Sequence, residues 1–158
     1  MDIAAEIRSQ MGDEWLPSIY HEKIRSGRTR SISIDIPERE NTAIIEYTLL
    51  GIELKVGKRR FACPDLSTAR YMRVFARIGC RDFAIPYDIT QISGFADELE
   101  TSWQRTDLLI NELTPAATAR RRAAARSKVI QSIRDQLREI GPGELMPIFD
   151  RETRQRPR

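Results

Sequence analysis

Between Ser31 and Cys63 the apolar residues return at every second position: Ile32, Ile34 and Ile36, then Ile45, Tyr47 and Leu49, then Leu50, Ile52, Leu54 and Val56, and finally Phe61 and Cys63. A period of two describes extended chain with one face on a core and the other in water, so this segment is committed to strands. The pattern breaks phase once. Apolar residues occupy odd positions through Leu49 and even positions from Leu50 onward. Because successive strand side chains point to opposite faces, a change of phase needs an extra residue or a change of direction, and Gly51 predicts a bulge or turn at that point. Val56-Gly57-Lys58-Arg59 predicts a hairpin turn leading back through Phe61 and Cys63. Glu38 to Asn41 form a polar turn between the first strand and the next.

Outside this segment the period becomes helical. Ile3, Ile7 and Met11 recur at intervals of four and stop at Gly12. Residues 14–25 predict a second helix provided that Pro17 falls in its first turn. A helix from about Leu66 to Ile78 buries Ala69, Met72, Phe75 and Ala76, with Asp65 or Ser67 as N-cap and Gly79 just past its end. Phe83-Ala84-Ile85 predicts a short strand that Pro86 ends or confines to an edge. A further helix over about Ser93 to Leu113 presents Phe95, Leu99, Trp103, Ile110 and Leu113 to the core. Thr114-Pro115, as N-cap and first helical residue, predicts a last helix running to Ile140, where Gly141-Pro142-Gly143 stops it. Its apolar stripe of Val129, Ile130, Ile133, Leu137 and Ile140 meets Arg122 and Arg126 when extended backward. The first half of that helix is therefore expected to project or to meet a polar partner.

These elements give an α+β fold: a small, mainly antiparallel sheet in the order α-β-β-β-α-β-α-α, packed by helices, with a protruding C-terminal helix. A chain of 158 residues with a 41% apolar fraction is long enough to bury a core without staples. The expected organisation is an α+β core over residues 1–113, a C-terminal helix and docking segment over 114–149, and a basic tail over 150–158. That tail has no apolar residue and is expected to be disordered.

Charge is distributed in blocks. Residues 55–81 carry eight basic side chains against one acid, and 82–119 carry seven acids against one base. Residues 1–54 are net acidic and 120–158 net basic, although the whole chain is only +3. Such alternation means either exposed basic surfaces or pairing between blocks, in which the arginines of the 66–78 helix meet the acidic helix 97–112 of the same chain or of a second copy. Arg70, Arg73 and Arg77 share one stripe of the 66–78 helix, opposite its buried side. Together with Lys58, Arg59 and Arg60 at the adjacent hairpin they predict a patch whose arginine forks match phosphate oxygens. The leading expectation is a non-enzymatic binding protein engaging an anionic partner, most simply nucleic acid, with no cofactor. Few aromatics are interleaved with these cations, which argues against a stacking platform for single strands.

Two other readings follow. The run of a helix, three strands, a helix and a strand, with Glu53-Leu54-Lys55 as an E-x-K on one strand and Asp35 on the strand before it, resembles the PD-(D/E)XK nuclease superfamily from Ile32 to Asp88. The resemblance implies that Asp35 and Glu53 hold Mg²⁺ while Lys55 positions the attacking water. The chain's literal Pro-Asp pair, Pro64-Asp65, follows the E-x-K instead of preceding it. The third reading is an assembly factor whose basic and acidic faces pair between protein chains, so that the partner is an acidic protein surface or another copy of the chain.

The remaining chemistry is sparse. Cys63 and Cys80 lack CxxC spacing and, with the single His21, fall short of a four-ligand zinc set. Both cysteines read as buried structural thiols. There is no G-x-S-x-G, Walker or G-x-G-x-x-G motif. No run of eighteen apolar residues occurs and no leader pattern opens the chain, so the expected setting is cytoplasmic, away from membranes.

Overall fold

The computed structural model describes residues 2–143. The expected tail at 150–158 and the end of the docking segment lie outside the described residues. Helix α1 (Ile3–Met11) is opened by Asp2, whose carboxylate accepts from the amides of Ala4 and Ala5. Helix α2 (Leu16–Ile19) holds Pro17 in its first turn, where no amide hydrogen bond is lost, and continues as a π-helical turn over Tyr20–Ile24. Strands β1 (Thr29–Ser33), β2 (Ala43–Thr48), β3 (Gly51–Val56) and β4 (Arg59–Cys63) precede helix α3 (Leu66–Ile78). Strand β5 (Asp82–Pro86) and helices α4 (Ile92–Leu113) and α5 (Ala119–Ile140) complete the order.

The fold is α+β with antiparallel strands, and these divide into two sheets. One pairs β1 with β5, and the other runs β2-β3-β4. The change of phase at Gly51 is a reversal of direction. Thr48 pairs with Gly51 and the chain turns through Leu49 and Leu50, which adds a strand to the expected order. Gly51 takes the positive φ of this turn, +124°. Strand β1 is shorter than its alternation suggests, since Ile34 and Ile36 continue inward as buried residues beyond the ladder.

Helix α3 lies at the centre. One side meets the β2-β3-β4 sheet through residues such as Met72, whose sulfur lies against Cys63. The other side packs Tyr71 and Phe75 with Tyr20 and Phe83, the rings of Phe75 and Phe83 stacking at 4.3 Å. A two-stranded sheet leaves β5 with an unpaired inner edge, and two buried tyrosines satisfy it. Tyr71 donates to the carbonyl of Ala84 at 2.5 Å, and Tyr20 accepts from the Ala84 amide at 2.8 Å while donating to the Gly141 carbonyl at 2.6 Å. Gly79 lets the 37–42 loop cross the end of α3, because a Cβ there would lie 2.3 Å from the Arg39 carbonyl oxygen.

Helix α5 starts four residues later than Thr114-Pro115 suggests, with Thr118 as its N-cap. Thr114 closes α4 instead: its hydroxyl donates to the Ile110 carbonyl, and its own carbonyl accepts from Arg122. Val129, Ile130, Ile133 and Leu137 dock α5 on the body. The backward extension of that stripe does meet polar partners, all within the chain.

Candidate interaction surface

The arginine stripe of α3 turns toward α4 and not toward solvent, which corrects the expectation of an exposed patch. Arg70 pairs with Asp97 and, at 2.6 Å, with Glu100, and Arg73 reaches the other oxygen of Glu100 at 3.2 Å. The side chains of Arg70, Arg73 and Glu100 are each a quarter exposed or less. Burial works to raise the Glu100 pKa but is overcome by the hydrogen bonds and charge of Arg70 and then Arg73, so the carboxyl stays below its ordinary range. Hydrogen bonds that the Arg70 guanidinium donates to Glu100 and Asp97 hold its pKa above the usual value. Arg77 makes no side-chain hydrogen bond or ion pair among the described residues, and burial followed by the like charge of Arg73 lowers its pKa. The helix wheel places the three arginines on one side correctly. What it does not contain is α4, whose acids face that side.

The hairpin cations are also engaged. Arg59 pairs with Asp35, and Arg60 bridges Glu53 at 3.1 Å and Glu46 at 3.3 Å. Lys58, at the tip, is exposed. These bonds separate the E-x-K constellation: Asp35 follows β1 beside β4, whereas Glu53 and Lys55 lie on the outer face of β3, with Glu46 directly opposite Glu53. Asp35 and Glu53 are each tied to a different arginine. Among the described residues no group of three or more His, Cys, Asp or Glu side chains is placed to hold a metal ion.

Pairing between sequence blocks extends over the molecule. Arg126 bridges Glu40 and Asp107 and lies over the Trp103 ring, Arg138 pairs with Glu38, and Lys23 pairs with Glu98. The block alternation in the sequence is thus largely internal complementarity. Arg120, Arg121 and Lys128 on the first half of α5 are exposed and make no ion pair among the described residues. Cys63 and Cys80 are buried, as their sequence context suggests, and burial pushes the Cys80 thiol up to about 11. No described helix is long and apolar enough to cross a membrane.

Compared with known protein families, curated proteins and solved structures, the chain matches none.

One surface escaped the sequence reading. Strands β2 and β4 are the outer strands of their sheet, and no backbone hydrogen bond from another described element reaches the free edge of β2. The two edges differ in chemistry. Strand β4 carries Arg59 and Arg60 and is followed by Pro64, both of which discourage pairing with another strand. Strand β2 carries one charge, Glu46, among Ala43, Ile44, Ile45, Tyr47 and Thr48. Tyr47 is 71% exposed, and Leu49 and Leu50 at the turn are essentially bare at 107% and 93%. The pairing of Tyr47 with Ile52 and of Ile52 with Cys63 brings this turn to the end of the sheet where α3 begins with the exposed Leu66. Two adjacent leucines at a hairpin turn, where Gly, Asn and Asp are usual, were the available signal. Reading Gly51 as a bulge or turn while counting both leucines among the strand's apolar positions hides it.

Proposed function

We propose that this protein is a non-enzymatic binding module that docks another protein chain through the β2–β3 hairpin, a role of the assembly-factor class. The observation that carries the reading is the pairing of an open, nearly uncharged strand edge with a bare Leu49-Leu50 turn. Exposing these side chains gives the monomer no stability, whereas covering a leucine fully is worth about 1.5–3 kcal/mol. Complementary charged faces are a weaker basis for docking, because Arg70, Arg73, Arg59 and Arg60 already have carboxylate partners within the chain. The test is affinity capture by the full chain, with quantitative comparison of Leu49→Ser/Leu50→Ser and Lys58→Glu variants. A defined set of proteins should be held by the native chain and by Lys58→Glu and lost by the hairpin variant. Equal capture by all three would overturn the reading.

A second reading, an anionic partner such as nucleic acid, is supported by the exposed Arg120, Arg121 and Lys128, which make no ion pair among the described residues; this moves the binding surface from α3 to α5. Phosphate contacts there would make binding fall steeply with salt. Fluorescence anisotropy of an oligonucleotide across a salt series, with Arg120→Glu/Arg121→Glu as comparison, decides it. Binding by the native chain that the variant loses would favour this reading over the first.

A further inference from the structure

We infer that the partner at the free edge of β2 is a second copy of this chain, joined by antiparallel β2–β2 pairing about a two-fold axis at Ile45 to make one continuous sheet across both copies. This inference rests on the docking reading above and specifies its occupant.

The backbone supplies the first argument. A two-residue turn is closed by a hydrogen-bonded pair, here Thr48 and Gly51, and in an antiparallel ladder such pairs alternate with non-bonded ones. Thr48, Glu46 and Ile44 therefore direct their backbone groups to β3. Tyr47, Ile45 and Ala43 direct theirs to the free edge, where no described element meets them. An unpaired row of amides and carbonyls is complementary to another strand, and an isologous contact presents the same row from both sides.

Side chains then select the register. Antiparallel partners directly opposite each other share a face, so a two-fold axis must pass through one residue position, and four positions, Ile44 to Tyr47, set three or more residues of β2 against themselves. Centring on Glu46 sets two carboxylates directly opposite each other, which is destabilising. Centring on Ile44 runs Tyr47 past the end of the partner strand to Asn41, and centring on Tyr47 leaves only 46–48 in register, so both shorten the overlap. Centring on Ile45 pairs Ala43 with Tyr47 at both ends and Ile44 with Glu46 between. The exposed tyrosine of each copy then lies over the small, buried Ala43 of the other. Glu46 meets an isoleucine while keeping its own Arg60. Only this register joins the long overlap over 43–47 to charge compatibility and a large side chain set against a small one.

Sedimentation equilibrium on the full chain tests the pairing. The native protein should approach twice its 18.2 kDa mass as concentration rises. Ile44→Lys/Tyr47→Lys, which puts cations on an exposed edge, should stay monomeric with an unchanged circular dichroism spectrum and melting temperature. Single cysteines read the register. Opposed Cα atoms in a hydrogen-bonded antiparallel pair lie about 5.5 Å apart, within disulfide reach. Ile45→Cys should therefore cross-link to itself under mild oxidation, while Ile44→Cys and Glu46→Cys should not. Cross-linking at position 46 or 44 in place of 45 would overturn the proposed register, as would a dimer that survives the lysine variant. A native chain that is monomeric at every concentration would overturn self-pairing altogether. In that case, capture of a different protein that depends on Leu49 and Leu50 would leave the docking reading standing, and absence of such capture would remove both.

Discussion

Replacing Glu100 by Gln should destabilise the protein although it removes no apolar contact. The substitution keeps the shape of the side chain and deletes the charge that holds Arg70 and Arg73 between α3 and α4. An exposed ion pair is worth about 0–1 kcal/mol, and breaking a fully buried one costs about 3–5 kcal/mol. The side chains here are 20–25% exposed, and Asp97 remains as a partner for Arg70, so the intermediate cost is about 2 kcal/mol. For a chain of this length that corresponds to a fall in melting temperature of about 4–8 °C. The pH dependence has a definite sign. Because the folded Glu100 pKa is depressed, its contribution is complete above the unfolded value, about 4.3, and is lost as pH falls through the folded value. Urea denaturation followed by circular dichroism should therefore show a constant gap between native and variant near neutral pH that closes under acid. Glu53→Gln is the matched control. Its partner Arg60 is 46% exposed and keeps Glu46, so the cost should stay below about 1 kcal/mol. Equal stability of Glu100→Gln and the native chain would refute the claim that the arginine layer is structural.

Tyr71→Phe should cost about 1–3 kcal/mol in urea denaturation, because the buried Ala84 carbonyl loses its tyrosine donor, and Tyr20→Phe should cost at least as much, since it strips both the Ala84 amide and the Gly141 carbonyl. Burial favours the protonated form of both thiols, Cys80 up to about 11, so alkylation of the native protein at mildly alkaline pH should be slow and should accelerate on unfolding. Fast labelling of the native chain would contradict the burial. Plasmid incubated with the protein and Mg²⁺ or Mn²⁺ should stay intact, because Asp35 and Glu53 do not converge; cleavage abolished by Glu53→Gln would restore the nuclease reading.

The strand segment, the boundaries of α3 and α4, and the docking stripe of α5 were legible because each follows from a local period, to which α3 adds its caps. Asp65 and Gly79 do at the ends of α3 what their chemistry predicts. Two features were hidden, and the choice between a free and a paired arginine stripe was left open, because all three depend on what lies opposite. The division into two sheets follows from the buried Tyr20 and Tyr71 taking the β5 edge, and no period in the sequence encodes that. Asp97 and Glu100 face Arg70 and Arg73 only once α4 has packed beside α3. Thr114 resembles an N-cap by its neighbour Pro115, yet its hydroxyl and carbonyl complete the end of α4. For the candidate site, the residue types were right and their surroundings were not: Arg59, Arg60, Arg70 and Arg73 are partnered by carboxylates of the same chain, and the bare apolar surface is the leucine turn that the alternation had absorbed.

The most direct measurement is photo-cross-linking in cells from a benzophenone side chain placed at position 49, with the same probe at the exposed position 121 as comparison. If the hairpin is the working surface, position 49 should give a discrete protein adduct, of dimer mass for self-pairing, while position 121 gives none. Adducts to nucleic acid from position 121, with no protein adduct from position 49, would contradict the account.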